Sequence, residues 1–254
     1  MDLQLRGKRA LITGASQGIG LACARALAAE GCDVALAARD VARLKEAVRR
    51  IRSDFRVGVT SHATDLSVSH RQAALIDVVG TVDILVNNAG AIPPGDLATV
   101  DEARWRQSWE LKVFGYINLC RLVMPQMIDR ADGAIINVIG AAAVQPRPGY
   151  LAGAAGNSAL VGFTRALGGD TARTGVRAVA VNPGLIMTQR LETMLRGQAE
   201  RRFGNAERWD ELIPREPPPG TPEQVADVVA FLASPRASHV SGTSITVDGG
   251  ASRA

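Results

Sequence analysis

The 254-residue chain is poor in side chains that usually carry chemistry: aromatic residues make up 4% of it, and it has three histidines, three cysteines and two tyrosines. No apolar run reaches about eighteen residues, the length that a transmembrane helix needs. The opening residues 1–6, MDLQLR, lack the apolar core of a signal peptide. We therefore expect a cytoplasmic protein that does not enter a membrane.

The three cysteines, Cys23, Cys32 and Cys120, are odd in number and lack the spacing of metal ligands. Each lies in an apolar stretch, where a buried reduced thiol is the common state. The sequence therefore predicts neither a disulfide framework nor a metal site.

The charge pattern argues against a nucleic-acid partner. The formal net charge is +4, but the arginines are scattered among acidic residues and form no basic run with interleaved aromatics. Lysine is scarce, and the only lysines are Lys8, Lys45 and Lys112.

Short apolar or β-branched runs alternate along the chain with longer segments of helical period. The predicted strands are 9–13, 33–37, 57–61, 82–86, 134–138, 176–181 and 244–247, and the predicted helices are 19–30, 41–53, 67–79, 100–128, 152–174 and 222–233. This alternation is typical of βαβ units. We predict one α/β domain, residues 1–254, with a Rossmann-type, doubly wound parallel sheet of seven strands and helices on both faces.

Residues 189–220, between the last two strands, form a long connection that we predict to be a lid insertion. Its apolar residues are expected to face inward over an apolar substrate or the core: Leu191, Met194, Leu195, Phe203, Trp209, Leu212 and Ile213. Of the helix starts, Ser67 and Thr221 are predicted N-caps, with Pro222 at the first helical position.

A glycine-rich turn joins the first strand to an Ala/Leu-rich helix. It reads Thr13-Gly14-Ala15-Ser16-Gln17-Gly18-Ile19-Gly20. Such a turn directs backbone N–H groups and the positive end of the helix dipole at an anion, and no side chain blocks the approach. We expect a dinucleotide pyrophosphate to bind here, at Gly14, Ser16, Gln17, Gly18, Ile19 and Gly20.

The end of the second strand bears on coenzyme choice. An acid about twenty residues beyond the glycine turn would bind the ribose hydroxyls of NAD, whereas an arginine accommodates the additional phosphate of NADP. Ala38 stands at that place and Arg39 follows it, which favours NADP(H) over NAD(H). The alternative is that Arg39 is a solvated residue at a helix start.

Further motifs accompany the turn in a fixed order. They are Asp65-Leu66, Asn87-Asn88-Ala89-Gly90, Asn182-Pro183-Gly184 with Thr188, and Ser241-Gly242 with Val247-Asp248-Gly249-Gly250. Together with a turn of the form TGxxxGxG, this set resembles the short-chain dehydrogenase/reductase family over essentially the whole chain. The resemblance implies hydride transfer between a nicotinamide coenzyme and an alcohol or carbonyl compound.

The resemblance also implies coenzyme contacts. Asp65 and Leu66 would hold the adenine. Asn87 and Gly90 would steady the sheet edge and, with Ala89, lie near the riboses. The nicotinamide contacts would come from Pro183, Gly184, Ile186 and Thr188. The alternatives are that Asp65 only caps the next helix and that residues 183–188 form an ordinary strand-to-loop turn.

The family's catalytic Asn, Ser, Tyr and Lys align with altered residues. Matching flanking sequences place these four positions at Lys112, Gly140, Gly153 and Asn157. Because neither glycine has a side chain to donate a proton, turnover by the family's usual mechanism would be slow. One hypothesis is a rearranged site of Lys112, Tyr150 and Asn157. The alternative is that Lys112 is a solvated or salt-bridged residue and Tyr150 a rim aromatic.

Two functions stay open on this evidence. One is an NADP-preferring oxidoreductase acting on a small, apolar alcohol or carbonyl substrate, with Arg147 as an alternative grip for an anionic one. The other is a non-catalytic NADP(H)-binding regulatory or structural subunit. Family resemblance implies a homodimer or homotetramer, assembled through the two long predicted helices, 100–128 and 152–174, and the last strand.

Overall fold

The computed structural model describes residues 1–253, without the side chains of Ala172 and Arg253. Seven parallel strands form one sheet in the order β3-β2-β1-β4-β5-β6-β7. The strands are β1 Arg9–Thr13, β2 Asp33–Ala38, β3 Val59–Ala63, β4 Ile84–Asn87, β5 Gly133–Val138, β6 Val176–Pro183 and β7 Thr243–Val247. The predicted doubly wound Rossmann-type α/β fold is confirmed.

Eight α-helices cover the two faces of this sheet. They are α1 Gly18–Ala29, α2 Val41–Asp54, α3 Ser69–Val79, α4 Glu102–Trp109, α5 Gly115–Asp129, α6 Leu151–Asp170, α7 Gln189–Phe203 and α8 Pro222–Ala233. Helices α1, α2 and α8 bury their apolar residues on one face, and α3, α5 and α6 bury theirs on the other. None of the helices in residues 1–253 is both long and apolar enough to cross a membrane.

The predicted helix 100–128 is interrupted. A π-helical turn, Glu110–Phe114, separates α4 from α5 and contains Lys112. Apolar periodicity continues through the turn, so sequence reasoning missed the break. Such single turns occur mostly at functional sites, and this one turns the lysine side chain into the interior.

One helix start was predicted correctly and the other was wrong. Thr221 and Gln224 form a reciprocal capping box at the start of α8, with Pro222 in the first turn. Helix α3 instead begins at Ser69, and Ser67 lies outside it. The Ser67 hydroxyl donates to Asp65 Oδ1 at 2.8 Å, so this serine belongs to the preceding loop.

The lid segment, residues 189–220, consists of α7, a 3-10 turn Ala206–Leu212 and a proline-rich return. Leu191, Leu195 and Ala199 form its buried face, at intervals of four residues. The inward prediction for Met194 was wrong: its side chain is 43% exposed, because it lies beside that stripe. The other predicted inward residues, Phe203, Trp209, Leu212 and Ile213, are partly buried.

The three thiols are unpaired and buried. Burial raises the pKa of Cys23, Cys32 and Cys120 to about 12, so these thiols are protonated and unreactive at neutral pH.

Candidate active site

The carboxyl ends of β1, β4, β5 and β6 meet along one edge of the sheet, where the chain winds outward from β1 in both directions. In open parallel sheets a ligand crevice forms at such a switch point. The glycine turn lies on one side of this crevice. The residues predicted at the family's catalytic positions, Lys112, Gly140, Gly153 and Asn157, lie on the other.

The glycine turn has the geometry of an anion cradle. Gly14 and Gly18 have φ of 65° and 57°, which side chains with a Cβ rarely adopt. Helix α1 starts at Gly18 with no side-chain cap from Gln17 and no acidic residue in its first turn. Its first N–H groups are therefore available to a ligand. These residues fit the pyrophosphate of a dinucleotide.

Thr13 and Asn88 fix this turn to the end of β4. The Thr13 Oγ1 accepts hydrogen bonds from the amides of Asn88 at 2.9 Å and Ala89 at 3.0 Å. The Asn88 Nδ2 donates back to the Thr13 carbonyl at 3.1 Å. Both residues occur in the sequence motifs, but no role was predicted for either. The Ala89 amide is already bonded within the protein, so it is not free for the predicted coenzyme contact.

Gly20 lets the turn and the helix approach each other closely. A Cβ built on Gly20 would lie 2.3 Å from the Gly14 carbonyl oxygen and 2.5 Å from Asn88 Nδ2. No side chain fits there without moving backbone. The third glycine of the motif is therefore required by packing.

Two arginines lie at the adenosine end of the crevice. Arg39 is exposed, and its charge acts on Asp65. Arg43 is hydrogen-bonded to Gln17 of the glycine turn and lies 3.3 Å from the Asp40 carboxylate. Sequence reasoning missed Arg43, although its place one turn into α2 was a usable signal.

Asp65 and Leu66 follow β3. Asp65 accepts hydrogen bonds from the Ser67 amide at 3.0 Å and the Ser67 hydroxyl, and these bonds lower the pKa of its carboxyl. Helix α3 begins beyond this loop, so Asp65 does not act as its N-cap. The Leu66 side chain is buried, and its carbonyl accepts from Gln72 Nε2 at 2.5 Å.

Asn87 supports the site from below. Its fully buried Nδ2 donates to Asn137 Oδ1 at 2.9 Å, and Asn137 Nδ2 donates to Thr164 Oγ1 at 2.9 Å. This chain joins β4 and β5 to α6. The Asn87 side chain thus points into the core, away from the ribose contact expected of it. Gly90, in contrast, is partly exposed.

The loop after β6 faces the glycine turn. Pro183 ends the strand, and the Gly184 amide donates to the Val247 carbonyl at 3.0 Å. Ile186 is buried. Thr188 caps α7, and its methyl group would lie 3.4 Å from a Cβ on Gly18. Thr188 and the glycine turn therefore border the same crevice.

Lys112 is buried, with 9% of its surface exposed. Its Nζ donates to the Ile139 carbonyl at 2.8 Å and the Val138 carbonyl at 3.3 Å, and lies 5.3 Å from the centre of the Tyr116 ring. No carboxylate of residues 1–253 forms an ion pair with it. Burial, assisted by the charge of Arg190, lowers the pKa of Lys112 to about 7. This geometry disagrees with both alternatives for Lys112, a solvated side chain and a salt-bridged one.

The ring of Tyr150 occupies the space that a side chain at position 153 would take. A Cβ built on Gly153 would lie 1.9 Å from Tyr150 Cε1 and 2.0 Å from its Cζ. Tyr150 precedes α6 and is partly buried. Burial raises the pKa of Tyr150, and the positive charge of Arg190 opposes that rise.

Asn157 lies behind Gly140. Its Nδ2 donates weakly to the Gly140 carbonyl at 3.4 Å, and a Cβ on Gly140 would lie 3.0 Å from that nitrogen. The buried Asn157 Oδ1 has no hydrogen-bond partner among the described residues. An unsatisfied buried amide costs about 1–3 kcal/mol. A hydroxyl of a bound coenzyme or substrate would remove that cost.

Arg190 is, after Arg43, a second site residue that was not predicted from the sequence. It stands in the first turn of α7, and its guanidinium reaches the residues after β4. Its charge acts on both Lys112 and Tyr150. Arg147, the suggested grip for an anion, is exposed in the loop before α6.

Comparison with known proteins agrees with this geometry. The profile of the short chain dehydrogenase family matches residues 8–199. The chain is 33% identical to 2,3-dihydro-2,3-dihydroxybenzoate dehydrogenase of Bacillus subtilis over 97% of each chain. It is 34% identical to galactitol 2-dehydrogenase (L-tagatose-forming) of Cereibacter sphaeroides over 97% of this chain and 96% of that one.

Solved structures show the same relation. The fold is similar to that of L-sorbose reductase from Gluconobacter frateurii complexed with NADPH and L-sorbose, with a TM-score of 0.91 and 34% identity over 98% of each chain. The chain belongs to the short-chain dehydrogenase/reductase family. It is an oxidoreductase that binds a nicotinamide coenzyme and transfers hydride between that coenzyme and an alcohol or carbonyl substrate.

Proposed function

We propose that this oxidoreductase uses a rearranged site in which Tyr150 is the proton donor and acceptor. The observation that carries the proposal is the overlap of the Tyr150 ring with the side-chain space of Gly153. The ring of a residue three positions earlier in the chain thus overlaps the Cβ position of residue 153, and a glycine at 153 makes room for it.

Two neighbours complete this site. When bound, the coenzyme supplies or accepts the hydride. Tyr150 gives its phenolic proton to the substrate oxygen during reduction and takes it back during oxidation. Lys112, with a pKa near 7, lies beneath the site as a buried amine that exchanges a proton near neutral pH. Asn157 offers its unpartnered Oδ1 to a coenzyme or substrate hydroxyl.

The proposed coenzyme is NADP(H), with NAD(H) second. Arg39 and Arg43 provide two guanidinium groups beside the glycine turn and Asp65, and arginine suits a ribose phosphate. Ser16 adds a hydroxyl in the same turn. The NADPH in the L-sorbose reductase structure supports this choice.

The test of the proposal is a coenzyme fluorescence titration followed by single-turnover hydride transfer. The panel contains apolar ketones and alcohols, as the apolar face of the lid segment favours, and L-sorbose and galactitol because of the relatives. We expect NADPH to bind more tightly than NADH, and Tyr150→Phe to bind it equally well while transferring hydride at least about 10²-fold more slowly. Unchanged transfer in Tyr150→Phe would reject the role of the phenol.

Tyr116→Phe is the matched control. It also removes a phenolic hydroxyl, but that hydroxyl is buried and donates to the Val138 carbonyl at 3.0 Å. We expect it to lower stability by about 1 kcal/mol and to leave the rate of hydride transfer within a few-fold.

We also propose a homodimer or homotetramer. The outer face of α6 carries exposed small residues, Ala155, Ala159, Gly162 and Ala166. An apolar groove of about 590 Å³ beside α4 includes Trp105, Trp109 and Phe114. Light scattering of the wild type and of Ala159→Arg tests this, since a charge on that face should dissociate the assembly.

The non-catalytic alternative has no specific support: the relatives compared above carry names of enzymes. A cytoplasmic location remains part of the proposal. The three buried, unpaired thiols suit a reducing compartment.

A further inference from the structure

Residues 90–95, hereafter the strap, connect the lid segment to the loop that carries Tyr150. At one end, Arg190 Nη1 donates to the Gly90 carbonyl at 2.8 Å, and Arg190 Nη2 donates to the Ile92 carbonyl at 3.2 Å. One side chain of α7 therefore binds two carbonyl groups of the strap. Ile92 itself is buried, so this end of the strap is fixed on the body of the protein as well.

At its other end the strap pairs with the backbone on both sides of Tyr150. The Gly95 amide donates to the Gly149 carbonyl at 2.7 Å, and the Gly95 carbonyl accepts from the Leu151 amide at 3.3 Å. Tyr150 lies between these two bonds. Its ring rests over Gly153, which has no side chain to orient it. The strap therefore constrains the backbone that carries the phenol, on both sides of Tyr150.

The same arginine faces the titratable groups of the site. Arg190 approaches Tyr150 from α7, and Tyr116 faces Tyr150 from α5. The Lys112 Nζ, on the π-helical turn, lies 5.3 Å from the centre of the Tyr116 ring and senses the charge of Arg190. Arg190 opposes the burial that raises the pKa of Tyr150 and helps to lower the pKa of Lys112. The guanidinium of Arg190 thus lies beside the phenol of Tyr150, whereas the residue at position 157 is an asparagine and carries no positive charge.

We propose that Arg190 is the positioning residue for Tyr150: it holds the strap from the lid helix, and its guanidinium supplies the positive charge beside the phenol. The inference rests on the proposed function, because that proposal gives Tyr150 its proton-transfer role. It also links lid and site. Displacement of α7 removes two hydrogen bonds from the strap and the cation from the phenol at the same time.

The scarcity of tyrosine makes this inference directly measurable. In Tyr116→Phe the only tyrosine left is Tyr150, so ultraviolet absorbance of tyrosinate reports its ionisation. We expect Arg190→Gln in that background to raise the apparent pKa of Tyr150 by about 1–3 units, the usual effect of losing a close opposite charge. Arg190→Lys, which keeps the charge, should restore most of the shift.

Arg196→Gln is the matched control, because Arg196 lies on the same helix but pairs with Glu192 and Glu207. It should leave the titration of Tyr150 unchanged. If Arg190→Gln also leaves it unchanged, the inference is wrong. Should Tyr116→Phe fold poorly, the chain with both tyrosines serves, since burial holds the pKa of Tyr116 well above its usual value and Tyr150 ionises first.

Single-turnover hydride transfer separates this inference from the proposed function. We expect Arg190→Gln to slow transfer and to move its pH profile upward, and Arg190→Lys to rescue both. An active enzyme whose Tyr150 titration ignores Arg190 overturns the inference alone. A titration that shifts with Arg190 in a protein that transfers no hydride supports the contact and overturns the proposed function.

Discussion

The coenzyme half and the substrate half of this crevice are built in different ways. The coenzyme half, from β1 to β3, presents mainly backbone: a glycine turn, the amides of α1 and loops after strands. The substrate half, from β4 to the lid segment, presents side chains from three elements: Lys112 from the π-helical turn, Tyr150 and Asn157 from α6 and the residue before it, and Arg190 from α7.

Backbone sites and side-chain sites tolerate change differently. In the coenzyme half a single added Cβ at Gly20 collides with main chain, so the sequence there has little freedom. In the substrate half the space at Gly153 is filled by a neighbouring ring, so a phenol can come from a different residue. The coenzyme half restricts which residue types fit, whereas the substrate half restricts only the positions of the functional groups.

The largest effect is expected from Gly153→Ala in the substrate half. The new methyl group would lie 1.9 Å from the Tyr150 ring and must displace it. Hydride transfer should fall at least about 10²-fold, with the dissociation constant of NADPH little changed. Gly169→Ala is the control on the same helix, because nothing lies within 4 Å of its added Cβ and Gly169 is outside the proposed assembly face. Equal rates in both variants would refute the account of Tyr150.

Gly20→Ala should show the opposite pattern. Its methyl group meets the Gly14 carbonyl oxygen at 2.3 Å, so the cradle must open. We expect NADPH affinity to fall about 10- to 100-fold, which corresponds to roughly 1.4–2.8 kcal/mol. Calorimetric titration measures it, with Gly197→Ala in α7 as the control. An unchanged affinity would mean that the turn is not the pyrophosphate site.

Lys112→Met should change how stability depends on pH. The pKa of Lys112 is about 7 in the folded chain and 10.5 as an unperturbed lysine, so the unfolded chain binds more protons between these values. The free-energy cost of burying the charged form of Lys112 applies in full below about pH 7 and is absent above about pH 10.5. The free energy of unfolding should therefore gain up to about 1.4 kcal/mol per pH unit across that window.

Urea denaturation at about pH 7.5, 8.5 and 9.5 measures the contribution of Lys112 to the free energy of unfolding. Lys112→Met should remove it, whereas Lys45→Met, at an exposed position, should not. If the wild type and Lys112→Met vary in parallel with pH, Lys112 is not a buried titrating group.

The smallest effect is expected from Arg39→Ala. Loss of one exposed guanidinium should reduce the preference for NADPH over NADH about 10-fold, while NADH affinity stays the same. Arg43→Ala, tested in parallel, should add a similar or smaller loss. Equal losses for both coenzymes would mean that these arginines support the turn and do not read the ribose phosphate.

The fold could be predicted because its signals are local. Strand runs such as residues 9–13 and 134–138, and the Thr221–Pro222 start of α8, express backbone preferences within a few residues. The glycine turn is equally local. These features do not depend on what packs against them.

The substrate half could be predicted only in part. Lys112, Tyr150 and Asn157 were proposed from the sequence, but their surroundings depend on contacts distant in sequence. The π-helical turn has no periodic signature, and Arg190 lies 98 to 100 positions from the carbonyls it binds. Asn87 was predicted both to steady the sheet edge and to lie near the ribose, and its buried side chain bonds across to Asn137 on β5.

The lid segment leaves and rejoins the body at neighbouring points. The Gly220 amide donates to the Leu185 carbonyl at 2.9 Å, and the Met187 amide donates to the Gly220 carbonyl at 2.8 Å. The length and composition of the segment between these bonds therefore do not affect the position of the sheet. Because the segment returns to the point at which it leaves, a replacement of different length can be inserted there without moving β6 or β7, provided that it keeps an arginine able to reach the strap.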